Sequence, residues 1–410
     1  MFRQPLPRGT VRVVMAVVVS AIGSGMTSPL LVIYLHNERH YSLALAGAAV
    51  AIGPLISLAG NPLGGYLTDR LGPSWPLAGG YIISAFACIG LVSPAYVWQP
   101  ITACALVGFG VSIAWPAETA LLAQISGGGQ HATLYSLRNI ALNVGLALGG
   151  LTGSIATGNY EILFVADSIS FLGAGAILAR SGRRSRPGAV PAKTAPGSAS
   201  GGYRRVLADT TFLRLLVVTC VLSAVAFGQL RIILPAYASD LGLDPRYVSL
   251  AYVLNTVLVV LGQLPIARLF ARRRRTDALR ALCVTFIVTW TVFWSSSHQA
   301  GWVQVVTFVS AAGLFAVGEL FIAIGIQPLG AGLAVAGLEG RYSGALTVAF
   351  TAGFTLGPLL TGFTLSLGSS TVLFATLIVG CAVSLLFVRR LRVLVRPAVD
   401  DPEHERESHV

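Results

Sequence analysis

Four ionisable side chains fall inside long apolar runs of the sequence: Glu118, Asp167, Arg231 and Glu319. A charge placed at the centre of such a run costs at least about 2.5–3.5 kcal/mol, so each needs a chemical account. A carboxyl in a low-dielectric setting holds its proton more readily, and a proton carrier needs such a group. Asp167, in Phe164-Val-Ala-Asp-Ser168, and Glu319, in Gly318-Glu-Leu-Phe321, have no basic residue nearby in sequence. Each reads either as a proton carrier or as a hydrogen-bonded brace. Glu118 follows Trp115-Pro116 at a depth similar to that of Arg138, so it is either a third carrier or half of a structural ion pair. Arg231, in Gly228-Gln-Leu-Arg-Ile-Ile-Leu-Pro235, can bind an anionic group, pair with Asp167 or Glu319, or snorkel to the outer surface. Gln229, Asn143, Asn255 and Trp115 join Arg231 as candidates to line a substrate cavity. Amide side chains also serve as glue between helices, so both roles stay open for them.

Other chemistries lack their residues. The only lysine is Lys193, so there is no phosphate-binding Gly-rich loop with its lysine, and ATP is not expected as the energy source. All six histidines lie outside the apolar runs, and no metal-ligand spacing or Ser/His/Asp set is present. The cysteines, Cys88, Cys104, Cys220, Cys283 and Cys381, sit singly on different runs and read as small packing residues. No catalytic residue, metal or prosthetic cofactor is expected, and a proton gradient is the expected driving force.

The elements that position these groups are set by composition. Of 410 residues 54% are hydrophobic and only 11% charged, against about a quarter charged in soluble proteins. The mean hydropathy of +0.75 makes lipid the solvent for most of the chain. A soluble enzyme, a disordered scaffold and a secreted disulfide-rich protein are excluded. A helix needs about 20 apolar residues to cross a bilayer with its backbone groups satisfied. Twelve stretches qualify, at 11–34, 43–67, 76–94, 101–124, 135–157, 160–179, 213–238, 248–270, 279–297, 303–327, 342–365 and 370–388. Pro29, Pro54, Pro116 and Pro358 within them are tolerated in a membrane bundle, where they mark bends around a cavity.

The formal charge of +12 is a matter of topology. With the N-terminus in the cytoplasm, 25 of the 28 Lys and Arg lie inside, Arg39 and Arg246 outside, and Arg231 within a span. This is the positive-inside pattern, and it puts both termini in the cytoplasm. Short basic loops such as Arg272–Arg275 then face anionic lipid, and nucleic acid is not an expected partner. The expected location is the plasma membrane, as a multi-pass protein.

A hydrophilic stretch rich in Pro, Gly, Ser and Arg divides the spans six and six. The expected organisation is a six-helix half at 1–180, a cytoplasmic linker at 181–212, a second half at 213–395 and a disordered tail at 396–410. The halves read as diverged copies. A shift of 203 aligns Pro62–Arg70 with Pro265–Arg273, a shift of 208 aligns Gly145, Gly149 and Gly150 with Gly353, Gly357 and Pro358, and Trp98 and Trp302 are 204 apart. Parallel six-helix repeats place a site between them near the bilayer midplane. The fold class is therefore an all-α membrane protein of twelve helices in two pseudo-symmetric bundles.

After the second span, Gly65-Tyr-Leu-Thr-Asp69-Arg70-Leu-Gly72 resembles the Gly-x-Leu-x-Asp-Arg-x-Gly signature of the major facilitator superfamily of secondary transporters. Gly65 allows a close helix crossing, Gly72 allows a backbone conformation that bulkier residues resist, and Asp69 can cap a neighbouring helix N-terminus. Arg70 can hold a carboxylate or backbone carbonyls. The resemblance implies a latch that keeps the cytoplasmic side closed. The signature usually continues with basic residues, where this chain has Pro73-Ser74-Trp75. In the fifth span, Arg138 with Gly145, Gly149 and Gly150 is similar to the Gly-Pro-containing motif of drug:proton antiporters. Here Gly150 replaces the proline, and Gly357-Pro358 keeps it in the second half.

The expected function is proton-coupled efflux of a small drug-like molecule or metabolite by alternating access, as a monomer. Proton-coupled uptake of a sugar, peptide or organic acid is the alternative. A membrane-embedded enzyme or a non-transporting sensor fits less well, because catalytic groups are not clustered and no soluble domain is present.

Overall fold

The structure, a computed structural model, describes residues 7, 9–28, 30–31, 34–92, 94–126, 131–155, 160–182, 202–366 and 370–401. Pro29, most of the expected linker and residues 402–410 lie outside the described residues. The described residues are helices joined by short connections, since a helix satisfies its own backbone where no water is present.

In the first half, helices run over Thr10–Thr27 (α1), Leu43–Leu71 (α2), Ser74–Ile89 (α3), Trp98–Ser126 (α4), His131–Ile155 (α5) and Tyr160–Gly182 (α6). A short helix, Gly202–Ala208 (α7), leads into Thr210–Val225 (α8) and Leu230–Asp240 (α9). Then follow Pro245–Leu269 (α10), Arg275–Ser295 (α11), Gly301–Leu320 (α12), Ile322–Leu333 (α13), Glu339–Ser366 (α14), Ser370–Leu394 (α15) and the turn Pro397–Asp400 (α16). Among the described residues, ten helical stretches are long and apolar enough to cross a membrane, and Ser74–Ile89 is a shorter apolar helix of 16 residues.

The chain forms two compact units. The first comprises Met1–Gly127, Leu137–Val206 and Ala334–Val348, and the second Gly128–Ser136, Leu207–Leu333 and Ala349–Val410. In the first unit α2 packs on α4, α3 on α4 and α6, and α1 on α6. In the second, α10 packs on α12, α11 on α12 and α15, and α8 on α15. These are the same four pairings under the repeat read from the sequence.

Two breaks interrupt the second unit, and each is held by a glutamine. Between α8 and α9 the chain tightens at Phe227–Gln229, where the buried Gln229 amide donates to the Ala224 and Gly357 carbonyls and accepts from Thr361. Between α12 and α13 it breaks at Phe321, and Gln263 donates to the Leu320 carbonyl at 3.1 Å and to the Ser136 hydroxyl at 3.2 Å. Both amides satisfy carbonyls that a broken helix leaves exposed. At the chain's end, Asp400 is buried and accepts from the Thr276 N–H and hydroxyl at 2.9 and 2.7 Å, capping the start of α11.

Candidate functional site

The end of α2 meets the first turn of α14. Asp69 accepts hydrogen bonds from the backbone N–H groups of Gly340 and Arg341, the latter at 3.1 Å, and from Arg341 Nη1 at 3.0 Å. The Asp69 side chain is 3% exposed and that of Arg341 10%. A carboxylate at a helix N-terminus satisfies orphan donors and opposes the helix dipole, and here a guanidinium completes the neutralisation. Close approach makes this possible: a Cβ on Gly65 would stand 2.4 Å from the Gly340 carbonyl oxygen, so no larger residue fits. Gly72 has φ +75 with open space around it, so its requirement is conformational. Arg70 is exposed and lies 4.9 Å from the Tyr66 ring centroid. The arginine that holds the Asp69 carboxylate is Arg341. A second contact on α14 joins the Ser343 hydroxyl to Thr119 and to the Pro116 carbonyl.

The three candidate acids sit in different surroundings. Glu118 pairs with Arg138 Nε at 2.6 Å, Tyr81 donates to it at 3.4 Å, and the Arg138 guanidinium stacks 5.6 Å from the Trp115 ring. Asp167 is buried and, among the described residues, receives only neutral donors: Thr27 at 2.7 Å, Ser170 at 3.3 Å and the Cys88 thiol at 3.6 Å. A Cβ on Gly23 would fall 2.3 Å from its Oδ1, so α1 presses its backbone against this carboxyl. Glu319, two residues before the Phe321 break, accepts from Asn255 at 3.1 Å and is half-buried. Glu118, Arg138 and Trp115 thus come together, as do Glu319 and Asn255, while Asp167 stands apart from the other acids.

A search among protein families places these features. The model described as Major Facilitator Superfamily matches residues 13–347 and 230–410. The chain belongs to the major facilitator superfamily. It is 27% identical over 400 residues to the uncharacterized MFS-type transporter YttB of Bacillus subtilis (strain 168), covering 94% of this chain and 97% of that one. A Na(+), Li(+), K(+)/H(+) antiporter of Planococcus maritimus is 26% identical over 82% of this chain and 84% of its own length. The multidrug resistance protein MdtH of Enterobacter sp. (strain 638) is 24% identical over 82% and 81%. A crystal structure of a bacterial homologue of the iron transporter ferroportin, in an outward-facing state with soaked iron, has the same fold. Its TM-score is 0.78 at 12% identity, covering 94% of this chain and 99% of that one. The protein is an integral multi-pass membrane protein of the plasma membrane, from a superfamily of transporters rather than enzymes.

Within this superfamily fold the glycines of α5 face α1. Cβ atoms at Gly145, Gly149 and Gly153 would meet Ala21, Ile22 and Met26 at 2.5, 2.1 and 2.8 Å, whereas Gly150 faces open space. On α14, Gly353 and Gly357 face Cys220 and Ala224 of α8 in the same way. The Pro358 and Arg231 side chains lie outside the described residues, although both backbones are helical. Asn143 donates to the Asn139 carbonyl at 2.9 Å, and the Trp115 indole N–H is buried without a partner among the described residues.

The sequence reading missed Gly340, Arg341 and Tyr203. Gly340 and Gly344 are four apart, the small-residue spacing of a close crossing, and that signal could have found this stretch. It also missed two tyrosines 203 apart. Tyr34 donates to the Leu91 and Val92 carbonyls at 2.8 and 2.9 Å and its ring lies 5.0 Å from Phe164. Tyr237 donates to the Phe293 carbonyl at 3.1 Å and its ring lies 4.8 Å from Phe374. Tyr34, beyond the end of α1, and Tyr237, on α9, each reach the end of their half's third helix and a ring of its sixth.

Proposed function

We propose that the protein is a proton-coupled secondary transporter that exports drug-like small molecules or metabolites by alternating access. The observation that carries this reading is Asp167, a buried carboxyl held by Thr27, Ser170 and Cys88 with no basic partner among the described residues. A carboxyl so placed gains by being protonated and changes the local charge when it releases its proton. Glu319 beside Asn255 is the second proton site on this reading, while Glu118 is committed to Arg138. Relatives named as a cation/proton antiporter and a multidrug resistance protein support both the coupling ion and the direction.

Twelve spans with both termini in the cytoplasm fit the distribution of the basic residues, and the halves 1–180 and 213–395, joined by the linker 181–212, carry out the rocking. The Asp69 cluster is the cytoplasmic latch. The transporter works as a monomer, without ATP or a bound cofactor.

The test is ethidium transport in proteoliposomes with an imposed pH gradient. Accumulation that follows the gradient, and that Asp167→Asn reduces to downhill equilibration, supports the reading. Flux indifferent to the gradient overturns it. If Glu118→Gln, Asp167→Asn and Glu319→Gln all keep gradient-driven accumulation, none of the three is the carrier.

A further inference from the structure

Tyr203 belongs to none of the motifs above, and its side chain reaches from the linker's end into the Asp69 cluster. It sits at the start of α7, and its hydroxyl donates to the Pro62 carbonyl of α2. The same oxygen stands where two glycines leave room for it. A Cβ on Gly65 of α2 would lie 2.9 Å from it, and a Cβ on Gly344 of α14 would lie 3.1 Å from it. Gly344 also faces the Asn61 carbonyl oxygen at 2.8 Å, so the notch has helix backbone on both sides. Burial, and then the nearby Asp69 carboxylate, push the phenol above its ordinary range, so it stays a neutral donor at any working pH. The chain continues from Tyr203 through buried Val206 to Asp209, which caps α8 by accepting from the Thr211 and Phe212 N–H groups, each at 3.0 Å.

We infer that Tyr203 is a positioning residue of the transport cycle, a linker-borne wedge that holds α2 and α14 together beside the Asp69–Arg341 pair and ties that crossing to the first helix of the second half. The hydroxyl bonds to one helix and fills the notch of the other, so α14 cannot leave α2 without the hydroxyl losing its seat. The linker then acts as a part of the latch, and its end must move whenever the latch opens. This inference rests on the reading of the Asp69 cluster as a latch, and the experiment separates the two.

A cysteine is introduced at Ser343, which faces Pro116 and Thr119 in the closed crossing. Its labelling by a membrane-impermeant maleimide is followed from the cytoplasmic face of inverted vesicles, against the chain without the added cysteine. Tyr203→Phe, which removes only the hydroxyl, is expected to raise the labelling rate about fivefold, the shift that one lost hydrogen bond of ordinary net strength produces. Tyr203→Ala, which also empties the notch, is expected to raise it further. If Asp69→Asn raises labelling while both Tyr203 variants match the parent, the latch stands and the wedge is overturned. If none of the three changes labelling, the latch reading fails and takes the wedge with it.

Discussion

The two units repeat the same helix pairings and the same tyrosine tie, yet they differ in charge at equivalent places. In the first unit the residue in the last turn of α2 that meets a helix N-terminus is Asp69. Displaced by 203, the corresponding position in the second unit is Arg272, and Gly65 corresponds to Arg268. The first unit therefore takes the opening turn of α14 with a carboxylate and a guanidinium, at glycine-to-backbone distance. The second unit takes in Gly128–Ser136, which includes the start of α5 at His131, and there Gln263 donates to the Ser136 hydroxyl at 3.2 Å. Charged, buried hydrogen bonds are worth more than neutral ones and cost more to leave half-made. A duplicated fold thus keeps its packing while an arginine in one copy stands where the other has the carboxylate that meets α14.

That contrast can be broken directly. Asp69→Ala strands the Arg341 guanidinium and two helix N–H groups, and should cost the first unit about 3–5 kcal/mol, as removing one partner of a buried pair does. The check is a lowered thermal unfolding midpoint in detergent. Gln263→Leu, its neutral counterpart, leaves the Leu320 carbonyl unpaired at the α12–α13 break and should cost about 1–3 kcal/mol in the same assay. Equal losses would erase the difference between the units.

The tyrosine ties sharpen the comparison at the opposite ends of the helices. Tyr34 also accepts from Arg39 Nε at 2.8 Å, and Arg39 pairs with Glu161, whereas Tyr237 accepts from the neutral Ser296 hydroxyl at 3.4 Å. Tyr34→Phe should therefore cost about 1 kcal/mol more than Tyr237→Phe, read as the gap between their unfolding midpoints. Arg70→Ala should be nearly silent, within about 0.5 kcal/mol, because the side chain is exposed and only stacks on Tyr66. A large loss there would move the latch from Arg341 to Arg70.

The all-helical membrane class was legible because hydrocarbon leaves the backbone no alternative, and 54% hydrophobic residues state it outright. The repeat was legible in offsets of 203 to 208, since paired helices must keep their spacing. Glycine positions at the crossing were readable for the same reason: Gly65 and Gly72 have few substitutes. What did not show was which side chain answers which. Asp69 and Arg341 are 272 residues apart, and Thr27 and Asp167 are 140 apart, so only the folded packing pairs them. For Gln229, polar in an apolar run, the sequence left cavity lining and helix bridging both open. The helix break beside it, which uses its amide, leaves no periodic mark in the sequence.

The central claim is that a proton moves through this protein in exchange for its solute, with Asp167 taking it up. It is tested most directly in everted membrane vesicles carrying a respiration-driven pH gradient and a pH-sensitive fluorophore. Adding ethidium to vesicles with the parent chain should release protons from the acidic interior and partly collapse the gradient. In vesicles with Asp167→Asn, present in equal amount, the gradient should not change. Collapse of the same size in both would contradict the account.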